Sequence, residues 1–179
     1  MLYNESVGHI FTPADEDAPI RAARLRELGL GEHAEPEFDE FARMLASSTK
    51  SPLAMVNFIS EDHQYLAGMH APALLGTEAP PDDSVRTASM DKGLCPHVVA
   101  RKLPLVLDDV CDYPRFVGNP YIDEFGIRSY VGAPLIDKTG TALGTICIVD
   151  MEPRPWGRPG LEFIKAKAAE IMEIINKRS

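Results

Sequence analysis

YVGAPLIDKTGTALGTICIVD, residues 130–150, divides at Lys138–Thr139–Gly140 into two apolar, β-branched halves. Such halves around a short Gly-containing turn read as a β-hairpin, with strands over 128–137 and 141–150. Gly132 and Gly144 permit close backbone approach, and Asp150 ends the second strand.

Working outward from the hairpin, LAMVNFIS (53–60) is a strand, EDHQ a turn, and QYLAGMH (64–70) a hairpin partner. In the first of these, Leu53, Met55 and Ile59 alternate with Ala54, Val56 and Phe58. Both faces of the sheet are therefore expected to be covered. Before them, IRAARLRELGL and FDEFARMLASSTK place apolar residues at helical spacing, the first ending at Gly29 or Gly31 and the second before Ser51–Pro52. Residues 71–92 show no periodicity and form a long connection of the kind that is often functional. GLCPHVVARKLPLVLDDVCDYPRF (93–116) opens a short helix at Cys95 or Pro96, ends it near Arg101, and continues into a strand. DYPRFVGNPYIDEFG is a loop with one helical turn, and GLEFIKAKAAEIMEIINKRS a final helix. Residues 1–18, polar and punctuated by Pro13, read as a flexible leader before one domain over 19–178. The class is α+β with antiparallel strand pairs.

In the last helix Leu161, Ile164, Ala168, Ile171 and Ile175 follow a 3, 4, 3, 4 spacing. That stripe serves either packing on the sheet or a homodimer seam formed with the early helices, and different helix faces can serve both.

The 179 residues carry 45% apolar and 25% charged residues, ordinary for a soluble domain. No apolar run reaches about 18 residues, so no membrane span is expected. The first residues lack a basic and then apolar signal pattern, and three cysteines are too few for a secreted framework, so a cytoplasmic location is expected. A formal net charge of −9 argues against nucleic-acid binding.

PLAMVNFISEDHQYLAG, LCPHVVARKLPLVLDDVCDYPRFVGNPYI and IRSYVGAPLIDKTGTALGTICIVDMEPRPW together resemble a GAF domain, of the subgroup found as sensory modules in bacterial signalling proteins. The resemblance implies a central antiparallel sheet with the terminal helices on one face. On the other, short helices and loops enclose a small-molecule pocket. Relatives bind cyclic nucleotides, bilins, haem or metabolites, so the fold alone does not name a cofactor.

Cys95 and His97 are two positions apart, about 200° around a helix, and so point away from each other. That disfavours both a metal site and a thiol–imidazole pair. Cys95 at the helix start is a candidate reactive thiol. A free methionine-R-sulfoxide reductase is the alternative function, since that GAF-fold family resembles the chain around Cys95. It needs a further cysteine where this sequence reads FVGNPYIDEFG, which has none. Cys147, inside a strand, reads as a small buried hydrophobe. Bilin attachment needs histidine directly after cysteine, but Pro96 intervenes. Asn119, Tyr121, Asp123 and Glu124 echo the cyclic-nucleotide signature without its lysine. His97 alone is a weak basis for haem ligation.

The resulting expectation is a noncatalytic sensor whose ligand and cofactor are unidentified. The pocket candidates are Cys95, His97, Asp109, Arg115, Phe116, Tyr121, Arg128 and Tyr130. Asp109 caps a turn, Arg115 pairs with a carboxylate or an anionic ligand, and Arg128 and Tyr130 lie on the strand that floors the pocket. Ligand binding would order residues 71–92 and 109–127 and alter how the terminal helices pack. The signal would pass to a homodimer partner or to a signalling protein in trans.

Overall fold

The computed structural model describes residues 2–4 and 9–178, with only the backbone course given for 2–4 and 9–12. A ribbon of β1 (Leu2–Asn4) and β2 (His9–Thr12) comes first. Helices α1 (Ala18–Leu28) and α2 (Pro36–Thr49) follow, then β3 (Leu53–Ile59) and β4 (His63–His70). The chain continues through α3 (Pro72–Leu75), β5 (Thr87–Ser89), α4 (Cys95–Arg101), β6 (Leu105–Leu107) and α5 (Pro120–Phe125). It closes with β7 (Ser129–Ile136), β8 (Ala142–Asp150) and α6 (Gly157–Asn176).

Six strands form one sheet in the order β5-β4-β3-β8-β7-β6, and every neighbouring pair is antiparallel. The 130–150 hairpin supplies two adjacent strands of it, turning at Asp137–Thr141, where Asp137 Oδ1 accepts from the Thr139 N–H at 2.9 Å. All seven residues of β3 are buried. Ala54, Val56 and Phe58 join the core beneath α1, α2 and α6, while Leu53, Met55 and Ile59 join the core beneath α4 and the loops. This is the two-sided burial that an apolar strand without polar alternation requires.

Sequence chemistry sets the helix ends. Pro19 and Pro36 sit in first turns, where a missing N–H costs nothing, and Gly29 closes α1 in the left-handed region (φ 64°). On α6, Ile164, Ala168, Ile171 and Ile175 are buried against the sheet, so the regular stripe is consumed within the chain. Each fully buried isoleucine contributes roughly 2 kcal/mol through apolar burial.

Several expectations change. Within residues 1–18 lie the β1–β2 ribbon and Asp15 and Asp17, which pair with Arg21 and Lys102. The 71–92 connection contributes an edge strand, β5, paired with the start of β4. Helix α6 starts at Gly157, ahead of the predicted 160, and β6 is only three residues long.

Candidate functional site

The sheet face opposite α1, α2 and α6 is roofed by the start of α4, by α5 and by residues 88–94, which leaves a cavity of about 40 Å³. That volume holds a few water-sized groups. Met55 and Asn57 of β3, Tyr130 of β7 and Cys147 of β8 form part of the floor, and Cys95 and Tyr121 part of the roof.

The floor carries a polar strip through an otherwise apolar core. Asn57 and Thr145 are registered partners across β3 and β8. Asn57 Nδ2 donates to Gln64 Oε1 at 2.9 Å, and Gln64 Nε2 donates to the Ser89 and Lys92 carbonyls, both at 2.7 Å. Gln64 thereby pins the roof segment to the sheet. Asn57 Oδ1 is buried and meets no hydrogen-bond partner. An unpartnered buried oxygen costs about 1–3 kcal/mol, and such an atom in a cavity wall suits a polar guest or water. Asn119 fastens the other side of the roof. Its side chain caps α5 at the Tyr121 N–H and donates to the Gly93 carbonyl, each at 3.1 Å.

Two thiols meet in this space. Cys95 Sγ lies 3.8 Å from Cys147 Sγ and 3.4 Å from the Tyr130 hydroxyl. Gly132 makes room for this contact, because a Cβ there would meet the Tyr130 hydroxyl at 2.4 Å. The Cys147 thiol foremost, then Thr145, Tyr130 and Asn57, lower the Cys95 thiol to about 6 against the opposing effect of burial. Cys147 is pushed well above its usual range by its contact with Cys95 and by burial, so the two thiols titrate as a pair in which the first ionisation is favoured and the second opposed. Burial, then the Cys95 charge, raises Tyr130, and burial lifts Tyr121 to about 12.

Of the eight residues singled out in the sequence, Cys95, Tyr121 and Tyr130 line the cavity. The other five stand outside its walls. His97 packs edge-on against Phe116, with centroids 5.6 Å apart and planes at 83°. Phe116 is buried, with the Arg115 guanidinium 4.5 Å above its ring. Arg115 is therefore held by an aromatic face rather than by a carboxylate. Arg128 grips Asp109 through two hydrogen bonds, of 3.0 and 2.6 Å, and Asp109 also caps the Cys111 N–H at 3.0 Å. That guanidinium, with the Cys111 N–H, draws the Asp109 carboxyl down to about 2.

Sequence reasoning missed Asn57 and Gln64, and it gave Asn119 and Cys147 other roles than the ones they have at this site. An asparagine inside the apolar LAMVNFI strand and an asparagine before Pro120 were visible signals. The approach of Cys147 to Cys95, fifty-two residues apart, has no local signature. Among the described residues, no group of three or more His, Cys, Asp or Glu is placed to hold a metal ion, and no helix is long and apolar enough to cross a membrane.

The family model for the GAF domain matches residues 33–175. A cyclic di-GMP phosphodiesterase from Pseudomonas aeruginosa is 31% identical over 144 residues, which cover 79% of this chain and 23% of that protein. The chain thus spans under a quarter of that relative's length. Among solved structures, a GAF sensor protein from Burkholderia vietnamiensis superposes with a TM-score of 0.61 at 14% identity, over 91% of this chain and 96% of that one. The free methionine-R-sulfoxide reductase from Neisseria meningitidis, in complex with its substrate, gives 0.57 at 14% identity, over 93% and 92%. These two share the fold, an antiparallel sheet between a layer of terminal helices and a layer of short helices and loops. With the match spanning most of its length, the chain belongs to the GAF domain family.

Proposed function

We propose that the chain is a noncatalytic sensory or regulatory module that binds a small molecule at the roofed face of the sheet. Its terminal helices report the occupied state to a second copy of the chain or to another signalling protein, in the cytoplasm. The observation that carries this reading is the cavity with the unpartnered Asn57 oxygen in its wall, one sheet layer from α1, α2 and α6. A site on one face of a single sheet and helices on the other share the same strands, so a shift in β3 or β8 reaches both. Likeness to part of a cyclic di-GMP phosphodiesterase supports a place beside a signalling output.

At about 40 Å³ the cavity takes only a very small ligand while the roof is closed. A larger one requires residues 86–94 and 117–127 to move. The second reading, a methionine sulfoxide reductase, is favoured by the adjacent thiols and opposed by the volume, which does not admit an amino-acid sulfoxide.

Native mass spectrometry of freshly purified protein tests the reading by recording retained ligand and oligomeric state together. A retained small molecule lost on Asn57→Leu substitution is the expected result. NADPH-coupled turnover of free methionine sulfoxide that disappears in Cys95→Ser would instead establish the reductase.

A further inference from the structure

We infer that Cys95 and Cys147 are a peroxide-reactive dithiol, in which a small hydroperoxide entering the cavity oxidises Cys95 and the pair closes to an intrachain disulfide. The inference rests on reading the cavity as a sensory site and names the chemical class that it senses.

The geometry supplies each requirement. The sulfurs are 3.8 Å apart, so forming an S–S bond of about 2.05 Å asks for less than 2 Å of approach. The cavity excludes most metabolites but admits a molecule the size of hydrogen peroxide. Lys92 and Tyr121, both only half-buried, stand in its wall and give a path from solvent. The Tyr130 hydroxyl, 3.4 Å from Cys95 Sγ, and the free oxygen of Asn57 offer a peroxide hydrogen-bond partners in the chamber. The low Cys95 titration supplies thiolate at neutral pH.

In the first step, Cys95 sulfur attacks one peroxide oxygen. An S–O bond forms, the O–O bond breaks, and the electron pair leaves with the distal oxygen. That oxygen takes up a proton and departs as water, while the sulfur is oxidised by two electrons to sulfenic acid. In the second step, Cys147 sulfur attacks the Cys95 sulfur. The S–S bond forms, the S–O bond breaks, and the hydroxyl leaves with the Cys147 proton as a second water. Two thiols and one hydrogen peroxide thus give one disulfide and two waters; an alkyl hydroperoxide would give an alcohol in place of the first water. Reduction by a dithiol restores the starting state. The new bond would tie the start of α4 to a central strand of the sheet, a constraint absent from the reduced chain.

The test uses the full chain carrying Cys111→Ser, which removes the exposed third thiol. The reduced protein is titrated with hydrogen peroxide, denatured in alkylating reagent and mapped by peptide mass. One Cys95–Cys147 linkage per chain, reversed by dithiothreitol, is expected. Cys147→Ser should hold Cys95 as a sulfenic acid that dimedone traps, and Cys95→Ser should leave Cys147 alkylated. Cumene hydroperoxide should react roughly tenfold more slowly, because access is restricted. Thermal melts verify that each variant folds, and Cys147→Ala provides a second trap if the serine does not. Two free thiols after excess peroxide, or linkage only between chains, would overturn the inference. Oxidation that leaves Trp156 fluorescence and oligomeric state unchanged supports the dithiol and overturns the sensory reading. A retained ligand together with peroxide-inert thiols does the reverse.

Discussion

Arg86 donates from its two terminal nitrogens to the two carboxylate oxygens of Asp39, at 2.9 and 2.8 Å, and so joins the roof segment to the helix layer around the sheet edge. The guanidinium is 1% exposed, and it also donates to the Leu66 and Pro81 carbonyls. Ala88, Lys92 and Gly93 of the cavity follow it in the chain, while Asp39 lies on α2. This is a physical link between the chamber and a terminal helix. Asp39→Asn keeps the shape but leaves a buried cation without its counter-charge, and should lower stability by about 3 kcal/mol. In a protein of this size the melting temperature should drop by roughly 10 °C. A urea-denaturation loss under about 0.5 kcal/mol would mean the pair is merely solvated.

Gly144 shows why the hairpin sequence contains a glycine in its second strand. A Cβ built there would lie 1.9 Å from the Asn57 carbonyl oxygen, which is backbone and has nowhere to go. Gly144→Ala must therefore separate β8 from β3 at the residue that carries the polar floor. A loss of about 3 kcal/mol, the upper end for overpacking, is expected. Wild-type stability with an unshifted denaturation midpoint would refute the close approach.

The hairpin, the two-sided strands and the helical layer were legible because period and composition encode them locally. Strand β5 was not. Thr87–Ser89 is three residues in a Pro-rich connection, and only its pairing with His63–Tyr65 defines it. The candidate site was legible in part. Cys95, Tyr121 and Tyr130 belong to it, but Asp109, Arg115, Phe116, Arg128 and His97 satisfy one another beside it. Residue type marks a group as able to bind; which neighbour it meets first depends on packing over long separations.

Asp109 and Arg128 give a pH signature. The native carboxyl titrates at about 2, below its ordinary 3.8, because the guanidinium favours its charged form. The contribution to stability is therefore complete above 3.8 and is lost as pH falls toward 2. Asp109→Asn should be less stable than wild type at neutral pH, with the difference shrinking across that acid window. Denaturation midpoints at a series of pH values check this, and a constant gap down to the lowest pH would assign the effect to the turn cap alone.

The proposal that the terminal helices report to a second copy of the chain can be tested on the α2–α6 surface. With Ile164, Ile171 and Ile175 consumed by the core, the apolar groups left on these helices include Phe41, Met44 and Phe163, which line a shared groove. Met44 is 58% exposed. On that proposal the wild-type chain sediments as a dimer in analytical ultracentrifugation, and a Met44→Glu, Phe163→Glu double variant should keep its fold and shift it toward monomer. A monomeric wild type, or a sedimentation coefficient unchanged in the variant, would count against a dimer through this face.

Tyr130 offers the closing test of the thiol chamber. Its hydroxyl faces the Cys95 sulfur and stays protonated through neutral pH, since burial raises it well above 10. It therefore acts as a donor to the thiolate and adds no charge of its own. The other titratable groups in the chamber are Cys147, Tyr121 and Lys92. Of these, Cys147 and Tyr121 are both raised and so stay neutral in the same range. Removing the donor in Tyr130→Phe destabilises the thiolate, so the Cys95 titration must move up from about 6. Cys147→Ala should move it further, because the Cys147 contact is the larger cause. Ultraviolet thiolate absorbance against pH, in the Cys111→Ser background, reads both shifts. A midpoint that stays put in both variants would show that neither group stabilises the anion.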